Sequence, residues 1–179
     1  MSAGTKQLAL VALGSNLGQS RQIISGAMAS LQQLSAEPLL KSSIWRSAPV
    51  DCPPGSPDFL NAAVAFVPRA AETPESLLVK LQDLEREFGR QPKRLLNEPR
   101  PLDLDLIAFG NETRSKPELT LPHPRAHLRR FVLEPLNEIA PEFVFPGQTR
   151  SVRDLLSLLN GKEQVECLAF GDVRRREGP

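Results

Sequence analysis

The chain has 179 residues and a formal net charge of +1, and 40% of its residues are hydrophobic. A chain of this length can bury a core as one domain, so we expect residues 1–179 to form a single domain. The near-zero charge argues against a protein that binds nucleic acid through a broad basic face.

The first clear pattern is the apolar run at residues 8–13, which predicts a buried strand. This run is too short to cross a bilayer, and only Lys6 precedes it as a basic residue, so neither a membrane segment nor a secretion signal is predicted. After a predicted turn at residues 14–18, apolar residues at helical spacing indicate a helix over residues 20–34. A strand near residues 40–46 follows.

The middle of the chain contains two irregular loops. Residues 47–58 are rich in proline, which excludes regular structure, and residues 59–67 then read as a strand. A helix is predicted to begin after Thr73, a capping hydroxyl followed by proline, and to end at Gly89. The second irregular loop covers residues 90–100. Its positive charges are Arg90, Lys93, Arg94 and Arg100.

The last part of the chain also alternates between strands and helices. Short turns such as Gly110–Asn111 favour antiparallel pairing of neighbouring strands. We therefore predict an α+β fold, a sandwich with a mainly antiparallel sheet flanked by helices. The remaining predicted elements are strands at residues 101–109 and 165–170, a short run around residues 119–121, helices at residues 131–140 and 152–159, and a frayed tail at residues 174–179.

The two cysteines, Cys52 and Cys167, are far apart in the sequence and have no metal-binding spacing. A disulfide framework is not expected, which is typical of proteins in a reducing compartment. We therefore expect a cytoplasmic protein.

The strongest chemical signal is the pair Asp103 and Asp105. Residues two apart in a strand point to the same face, with Cβ atoms ~7 Å apart. Two carboxylates this close repel each other and raise one pKa, and a divalent cation removes the conflict. Oxygen ligands of this kind suit Mg²⁺, which takes one or two carboxylates together with substrate phosphates. The alternative is an ordinary solvent-facing strand edge.

Basic residues surround this pair in the sequence. Guanidinium groups bind phosphate through forked hydrogen bonds, and carboxylates with arginines are typical of phosphoryl transfer. His123, between two prolines, could donate to a phosphate oxygen or assist proton movement. The alternatives are a solvated arginine face and a surface histidine. The arginines are Arg90, Arg100, Arg125, Arg129 and Arg130.

Asn61 is unusual because it lies in an otherwise apolar strand, where asparagine is disfavoured. If it is buried, its amide must be hydrogen-bonded. Its flat donor–acceptor edge would suit a heterocycle, with Phe59 and Phe131 as stacking faces. The alternatives are an amide that serves the backbone and two core phenylalanines.

Together these residues form a family pattern. The chain resembles the 6-hydroxymethyl-7,8-dihydropterin pyrophosphokinases of folate synthesis, from about residue 8 to residue 147. Residues 148–179 contain no specific motif. The matching segments read ALGSNLG, WRSAPV, PDFLNAAVAF, LEREFGR, PRPLDLDLIAFG and LPHPRAHLRRFVLEPLNEIAPEFVFPG.

The resemblance implies a ferredoxin-like sandwich that transfers pyrophosphate from ATP to the pterin alcohol, releasing AMP. It implies two Mg²⁺ ions on Asp103 and Asp105. We also expect a monomer without nucleic-acid or membrane partners. The implied catalytic residues are Arg90, Arg100, Asp103, Asp105 and His123. The implied ATP contacts are Gln82, Glu85, Leu106, Thr120, His123 and Arg129. The implied pterin contacts are Ser47, Ala48, Val50, Phe59, Asn61 and Phe131.

The chain departs from the family pattern in the second loop, where Asn97 stands in place of an aromatic residue. Phe59 stands where a tyrosine is often found. We expect both irregular loops to move on binding and exclude water. Two alternatives remain open from the sequence: a non-catalytic ferredoxin-like module that binds nucleotide or RNA, and another pterin enzyme such as an aldolase.

Overall fold

A computed structural model describes residues 7–92, 95–161 and 163–168. Its centre is a six-stranded antiparallel sheet with the order β5-β1-β4-β3-β8, in which β2 also pairs with β4. Strands β6 and β7 form a separate hairpin. The strands are β1 (Ala9–Ser15), β2 (Leu40–Lys41), β3 (Ile44–Ser47), β4 (Phe59–Phe66), β5 (Asp103–Phe109), β6 (Arg114–Lys116), β7 (Leu119–Leu121) and β8 (Val165–Leu168).

Two helices cover each face of the sheet, and side chains alternate between the two cores along each strand. Val64 packs with α1 and α2, whereas its neighbours Ala63 and Ala65 pack with α3 and α4. The predicted α+β sandwich is confirmed. None of the helices in the described ranges is long and apolar enough to cross a membrane. The helices are α1 (Ser20–Leu31), α2 (Pro74–Glu87), α3 (Arg130–Ile139) and α4 (Val152–Leu158).

The predicted boundaries of α2 follow from local chemistry. The Thr73 hydroxyl accepts from the backbone N–H of Ser76, and the Ser76 hydroxyl accepts from the backbone N–H of Thr73. This reciprocal pair satisfies donors at the start of the helix. At the other end, Gly89 has a φ of +91°, a conformation that few residues other than glycine adopt.

The predicted strand at residues 40–46 is interrupted. The backbone N–H of Ser42 still donates to the Ala63 carbonyl, but the Ala63 N–H donates to the Ser42 hydroxyl at 2.8 Å instead of to a backbone carbonyl. The Ser42 hydroxyl has thus taken the place of a backbone carbonyl in the hydrogen-bond ladder. This substitution interrupts the ladder and separates β2 from β3.

Three other predictions need correction. The helix at residues 20–34 ends as α1 at Leu31, and a 3-10 turn (Gln32–Leu34) completes it. Gly14, expected in a turn, lies in β1. Strand β6 was not predicted. Lys93, Arg94, the end of the predicted strand at residues 169–170 and the arginine tail lie outside the described residues.

Candidate active site

Strand register brings the two main polar signals together. Gly14 in β1 pairs with Asn61 in β4 on one side and with Asp103 in β5 on the other. A Cβ at Gly14 would lie 3.8 Å from the Asn61 Oδ1 and 3.9 Å from the Asp103 Cβ. Because Gly14 has no side chain, the sheet surface between the buried Asn61 amide and the Asp103 carboxylate stays uncovered. We call this surface the floor of the site.

A cleft of roughly 240 Å³ lies above this floor. Its walls are the N-terminal end of α3, the two irregular loops and Glu163. All six residues predicted for the pterin line the cleft, together with Asp103, Asp105, Arg100 and Arg129. The six are Ser47, Ala48, Val50, Phe59, Asn61 and Phe131.

Asn61 is only 4% exposed, and its Nδ2 donates to the Ser47 hydroxyl at 2.8 Å. Both side chains are buried, so this hydrogen bond fixes the orientation of the amide. The result is a rigid polar edge at one end of the cleft, which is the geometry that recognition of a flat heterocycle requires.

The two predicted aromatic walls each lie beside an arginine. The Arg100 guanidinium carbon is 5.5 Å from the centre of the Phe59 ring, and that of Arg129 is 5.4 Å from the centre of the Phe131 ring. Such cation–π contacts orient guanidinium groups. Arg100 Nε is also buried and has no partner among the described residues. This N–H group is therefore available to donate a hydrogen bond to a bound anion.

Asp103 is held by two arginines. Its Oδ1 accepts from Arg90 Nη1 at 2.6 Å, and its Oδ2 accepts from Arg100 Nη2 at 2.8 Å. Arg90 also binds Glu85, whose Oε1 accepts from the backbone N–H of Leu104 at 2.7 Å. Burial raises the pKa of Glu85 to about 7, although the Leu104 hydrogen bond and the Arg90 charge oppose the rise. Glu85 thus supports Arg90 from behind the strand.

Asp105 differs from Asp103 because no hydrogen bond or ion pair to it is found in the described part of the chain. Burial and the negative charge of Asp103 raise the pKa of Asp105, and the charges of Arg129 and Arg100 act in the opposite direction. A cation beside the two carboxylates would relieve this conflict.

No group of three or more His, Cys, Asp or Glu side chains arranged to hold a metal is present within residues 7–92, 95–161 and 163–168. Asp103 and Asp105 supply two carboxylates on one face of β5. A metal there would need further ligands from water or from bound phosphates, a donor set that fits Mg²⁺.

His123 lies close to the arginines and outside the cleft itself. Its backbone N–H donates to the Ile107 carbonyl at 2.9 Å, and its Nδ1 accepts from the backbone N–H of Arg125 at 3.2 Å. The neutral ring therefore carries its proton on Nε2. Burial, followed by the positive charges of Arg129 and Arg125, lowers the pKa of His123. A neutral donor at pH 7 follows from this environment.

Several predicted ATP contacts are not brought to the cleft. Gln82 and Thr120 are exposed on α2 and β7. Leu106 packs in the core between the sheet and α1 and α2, on the face opposite Asp105. Glu85 and Arg90 lie behind Asp103. The roles assigned to these residues by resemblance stay predictions.

The cleft also contains residues that the sequence did not indicate. Asn97 and Asp51 line it from the two loops, and Glu163 lines it near α3, together with Arg125, one of the arginines predicted to bind phosphate. The sequence could have indicated a turn at Asn97, since asparagine tolerates the φ of +54° that it adopts. Glu163 had no such signal, because its position depends on contacts with residues far away in the sequence.

Comparison with known families gives one match over most of the chain. Residues 10–141 match the family model described as 7,8-dihydro-6-hydroxymethylpterin-pyrophosphokinase (HPPK). Similar curated proteins are each named 2-amino-4-hydroxy-6-hydroxymethyldihydropteridine pyrophosphokinase. One from Synechocystis is 38% identical over 165 residues, which cover 92% of this chain and 80% of the relative. One from Methylorubrum extorquens is 39% identical over 164 residues, which cover 88% of this chain and 98% of the relative.

Solved structures support the fold. Wild-type HPPK-DHPS of Plasmodium falciparum with SDX-DHP aligns with a TM-score of 0.65 at 13% identity, covering 88% of this chain and 45% of the longer one. A crystal structure of HPPK-DHPS in complex with substrates aligns with a TM-score of 0.64 at 12% identity, covering 85% of this chain and 43% of the other. This chain spans less than half of those solved chains, and the likeness concerns the fold alone.

Proposed function

Because this chain belongs to the 7,8-dihydro-6-hydroxymethylpterin-pyrophosphokinase family, we propose that it transfers pyrophosphate from ATP to 6-hydroxymethyl-7,8-dihydropterin. The products are AMP and the pterin diphosphate, and the reaction is a step of folate synthesis. The enzyme is an ATP-dependent pyrophosphokinase, a diphosphotransferase, with ATP as its co-substrate.

The observation that supports this assignment most directly is the pairing of Gly14 with both Asn61 and Asp103. Strands in a sheet are ~4.8 Å apart, so the amide and the carboxylate stand at opposite ends of a floor about two strand spacings wide. A pterin carries an amide-like edge at one end and the hydroxymethyl group at the other. The floor matches that length and polarity.

In this proposal Asn61 and Ser47 bind the amide-like edge of the pterin. Phe59 and Phe131 cover its faces, and Ala48 and Val50 close the site from the first loop. Aromatic side chains gain stacking energy with a flat ring. The hydroxymethyl oxygen is thereby directed towards Asp103 and Asp105.

Asp103 and Asp105 would hold Mg²⁺, and we expect two ions when ATP is bound. The chemistry that Mg²⁺ would supply there is cancellation of phosphate charge. The absence of any partner for Asp105 within the described residues and the closeness of the two carboxylates support this assignment.

The arginines act on the phosphates. The hydroxymethyl oxygen gives up its proton to solvent and forms a bond to the β-phosphorus of ATP. The bond from that phosphorus to the α,β-bridging oxygen breaks, and AMP leaves. Arg90 and Arg100 stabilise the transferring group, and Arg129 binds the nucleotide phosphates. His123, neutral with its proton on Nε2, donates to a phosphate oxygen. Fixed donors of this kind stabilise developing charge without reorganisation.

We also propose that the protein works as a single-domain monomer in the cytoplasm, without a nucleic-acid partner. Light scattering during gel filtration at the assay concentration tests the monomer. A mass near twice the 19.7 kDa of the chain would contradict it.

The decisive experiment is measurement of AMP release from ATP, with and without the pterin alcohol and Mg²⁺. AMP that appears only with both present supports the transfer and its site of attack, and loss of AMP release in Asp105→Asn places the reaction in this cleft. ADP instead of AMP would indicate attack at a different phosphorus. Pterin turnover without ATP would favour the aldolase alternative, and RNA retained at moderate salt without Mg²⁺ would favour the binding module.

A further inference from the structure

We propose that Glu163 is a positioning residue of this active site, which holds the first turn of α3 and thereby places Arg129 and Phe131. This inference rests on the proposed function. Glu163 lies beyond residues 10–141, the span matched by the family model, so the comparison assigns it no role.

The start of α3 lacks a cap of its own. The residue before the helix, Arg129, makes no side-chain capping hydrogen bond, although the first N–H groups of a helix have no partners within it. Glu163 Oε2 accepts from the backbone N–H of Arg130 at 2.9 Å. A carboxylate at this end of a helix is also favoured by the helix dipole. Glu163 therefore caps α3 from a distance of 33 positions in the chain.

The chain after α4 is fitted to the same turn. Arg130 Nη2 donates to the Leu159 carbonyl at 2.9 Å, and Arg130 Nη1 donates to Glu134 at 2.8 Å. A Cβ at Gly161 would lie 3.2 Å from Arg130 Nε, so a glycine suits this close approach. These contacts fix the first turn of α3 to the chain that follows α4.

Glu163 also connects the turn to the pterin edge. It lies just before β8, which pairs with β3 so that Val165 is opposite Ser47. Ser47 in turn orients Asn61 through the 2.8 Å hydrogen bond. Residues 163–165 are thus linked to the amide edge through Ser47 and to the turn that carries Phe131 through Arg130.

The charge of Glu163 has a separate effect, because its carboxylate lines the same cleft as Arg125 and Arg129. Burial and the charge of Arg125 lower the pKa of Arg129, and the negative charge of Glu163 is among those that oppose this change. A negative charge here offsets part of the attraction that Arg129 exerts on an anion. The two effects of Glu163, capping of α3 and its negative charge near Arg129, can therefore be separated by substitutions that remove one and keep the other.

The test compares Glu163→Ala with Glu163→Gln, and uses Glu166→Ala as the matched control. Glu166 lies on β8 and pairs with Arg46 at the surface, so its removal weakens docking of the strand without touching α3. Calorimetry gives the Kd for α,β-methylene-ATP with Mg²⁺, and then for the pterin at saturating analogue. Thermal unfolding shows whether each variant is folded.

We expect Glu163→Ala to weaken pterin binding by about threefold to tenfold, the size of a lost helix cap, and to weaken nucleotide binding by less, because the negative charge is lost as well. Glu163→Gln keeps an acceptor for Arg130, so its pterin Kd stays within about twofold of wild type. Its nucleotide Kd falls by about twofold to fivefold because one negative charge is lost. Glu166→Ala should leave both Kd values within about twofold, as expected for an exposed ion pair.

Wild-type pterin affinity in Glu163→Ala would overturn the proposal, as would an equal loss in Glu166→Ala. If Glu163→Ala does not fold, Glu163→Asp decides, because its shorter side chain keeps the charge but withdraws the acceptor from the Arg130 N–H. An unchanged pterin Kd in that variant would refute the role. Failure of the wild-type protein to release AMP would instead refute the proposed function.

Discussion

Asn97 donates a 2.7 Å hydrogen bond from Nδ2 to the backbone carbonyl of Asp51. The bond joins the two irregular loops, and both residues line the cleft. Their φ angles are +54° and +53°, in the left-handed region that asparagine and aspartate tolerate better than most residues. Asn97, where we expected the chain to depart from the family pattern, thus links the loops directly.

Asn97→Ala should loosen the mouth of the cleft, because one hydrogen bond between the loops is removed. Cys52 lies beside Asp51 and lines the cleft, so its reaction with a thiol reagent reports opening. In a Cys167→Ser background, we expect Cys52 to react about twofold to tenfold faster, the equivalent of one lost hydrogen bond. Leu96→Ala is the control, since Leu96 is 80% exposed in the same loop. An unchanged rate in Asn97→Ala would mean that the bond does not control access.

The elements that the sequence predicted well are those specified by neighbouring residues. Helix α2 begins at a capping threonine and ends before a glycine, and the alternation around Asp103 and Asp105 identifies β5. The interruption at Ser42 could not be anticipated, because it depends on a side chain that replaces a ladder acceptor from another strand. Strand β6 is short and polar, so it has no apolar pattern to reveal it.

The same distinction applies to the site. The chemistry of Asp103 and Asn61 was visible in the sequence. Their positions on either side of Gly14, however, depend on the register of β1 with two other strands. Leu106 falls on the opposite face from Asp105 because side chains alternate along β5. The contributions of Glu163 and Asn97 arise from long-range contacts, which no local pattern contains.

Asp105→Ala should abolish pyrophosphate transfer while the protein remains folded. Asp105 faces the cleft and has no partner within the described residues, so its loss breaks no bond seen there. Removing a buried carboxylate next to Asp103 also removes repulsion, so we expect a Tm equal to or above that of wild type. The measurements are AMP release, Mn²⁺ binding in the presence of ATP, and thermal unfolding.

Asp83→Ala is the control for this change, because it removes an exposed carboxylate on α2 that pairs only with Arg86 in the described structure. It should keep wild-type turnover. Near-normal AMP release by Asp105→Ala would refute the metal assignment.

Asn61→Ala should weaken pterin binding by roughly 1–3 kcal/mol, the cost of leaving polar partners unsatisfied in a buried site. Ser47→Ala should have a smaller effect, because Ser47 orients the amide through one hydrogen bond. The pterin Kd is measured with the ATP analogue bound, and the analogue's own Kd is the internal control. Unchanged pterin affinity in Asn61→Ala would show that the residue serves only the fold.

His123 should titrate below the usual histidine pKa of ~6.5, because burial and the charges of Arg129 and Arg125 lower its pKa. NMR can follow the ring directly, since the chain has only 2 histidines and His127→Gln identifies the remaining signal. Arg129→Met should raise the pKa of His123, because a positive charge is removed.

The direction of this shift also predicts a stability profile. A folded-state pKa below the unfolded value means that the unfolded chain binds the proton more readily. Neutral His123 therefore contributes stability above pH ~6.5, and this contribution is lost as the pH falls through the folded-state pKa. His123→Gln should flatten the free energy of unfolding over that acidic range. A pKa at or above the usual value would contradict both expectations.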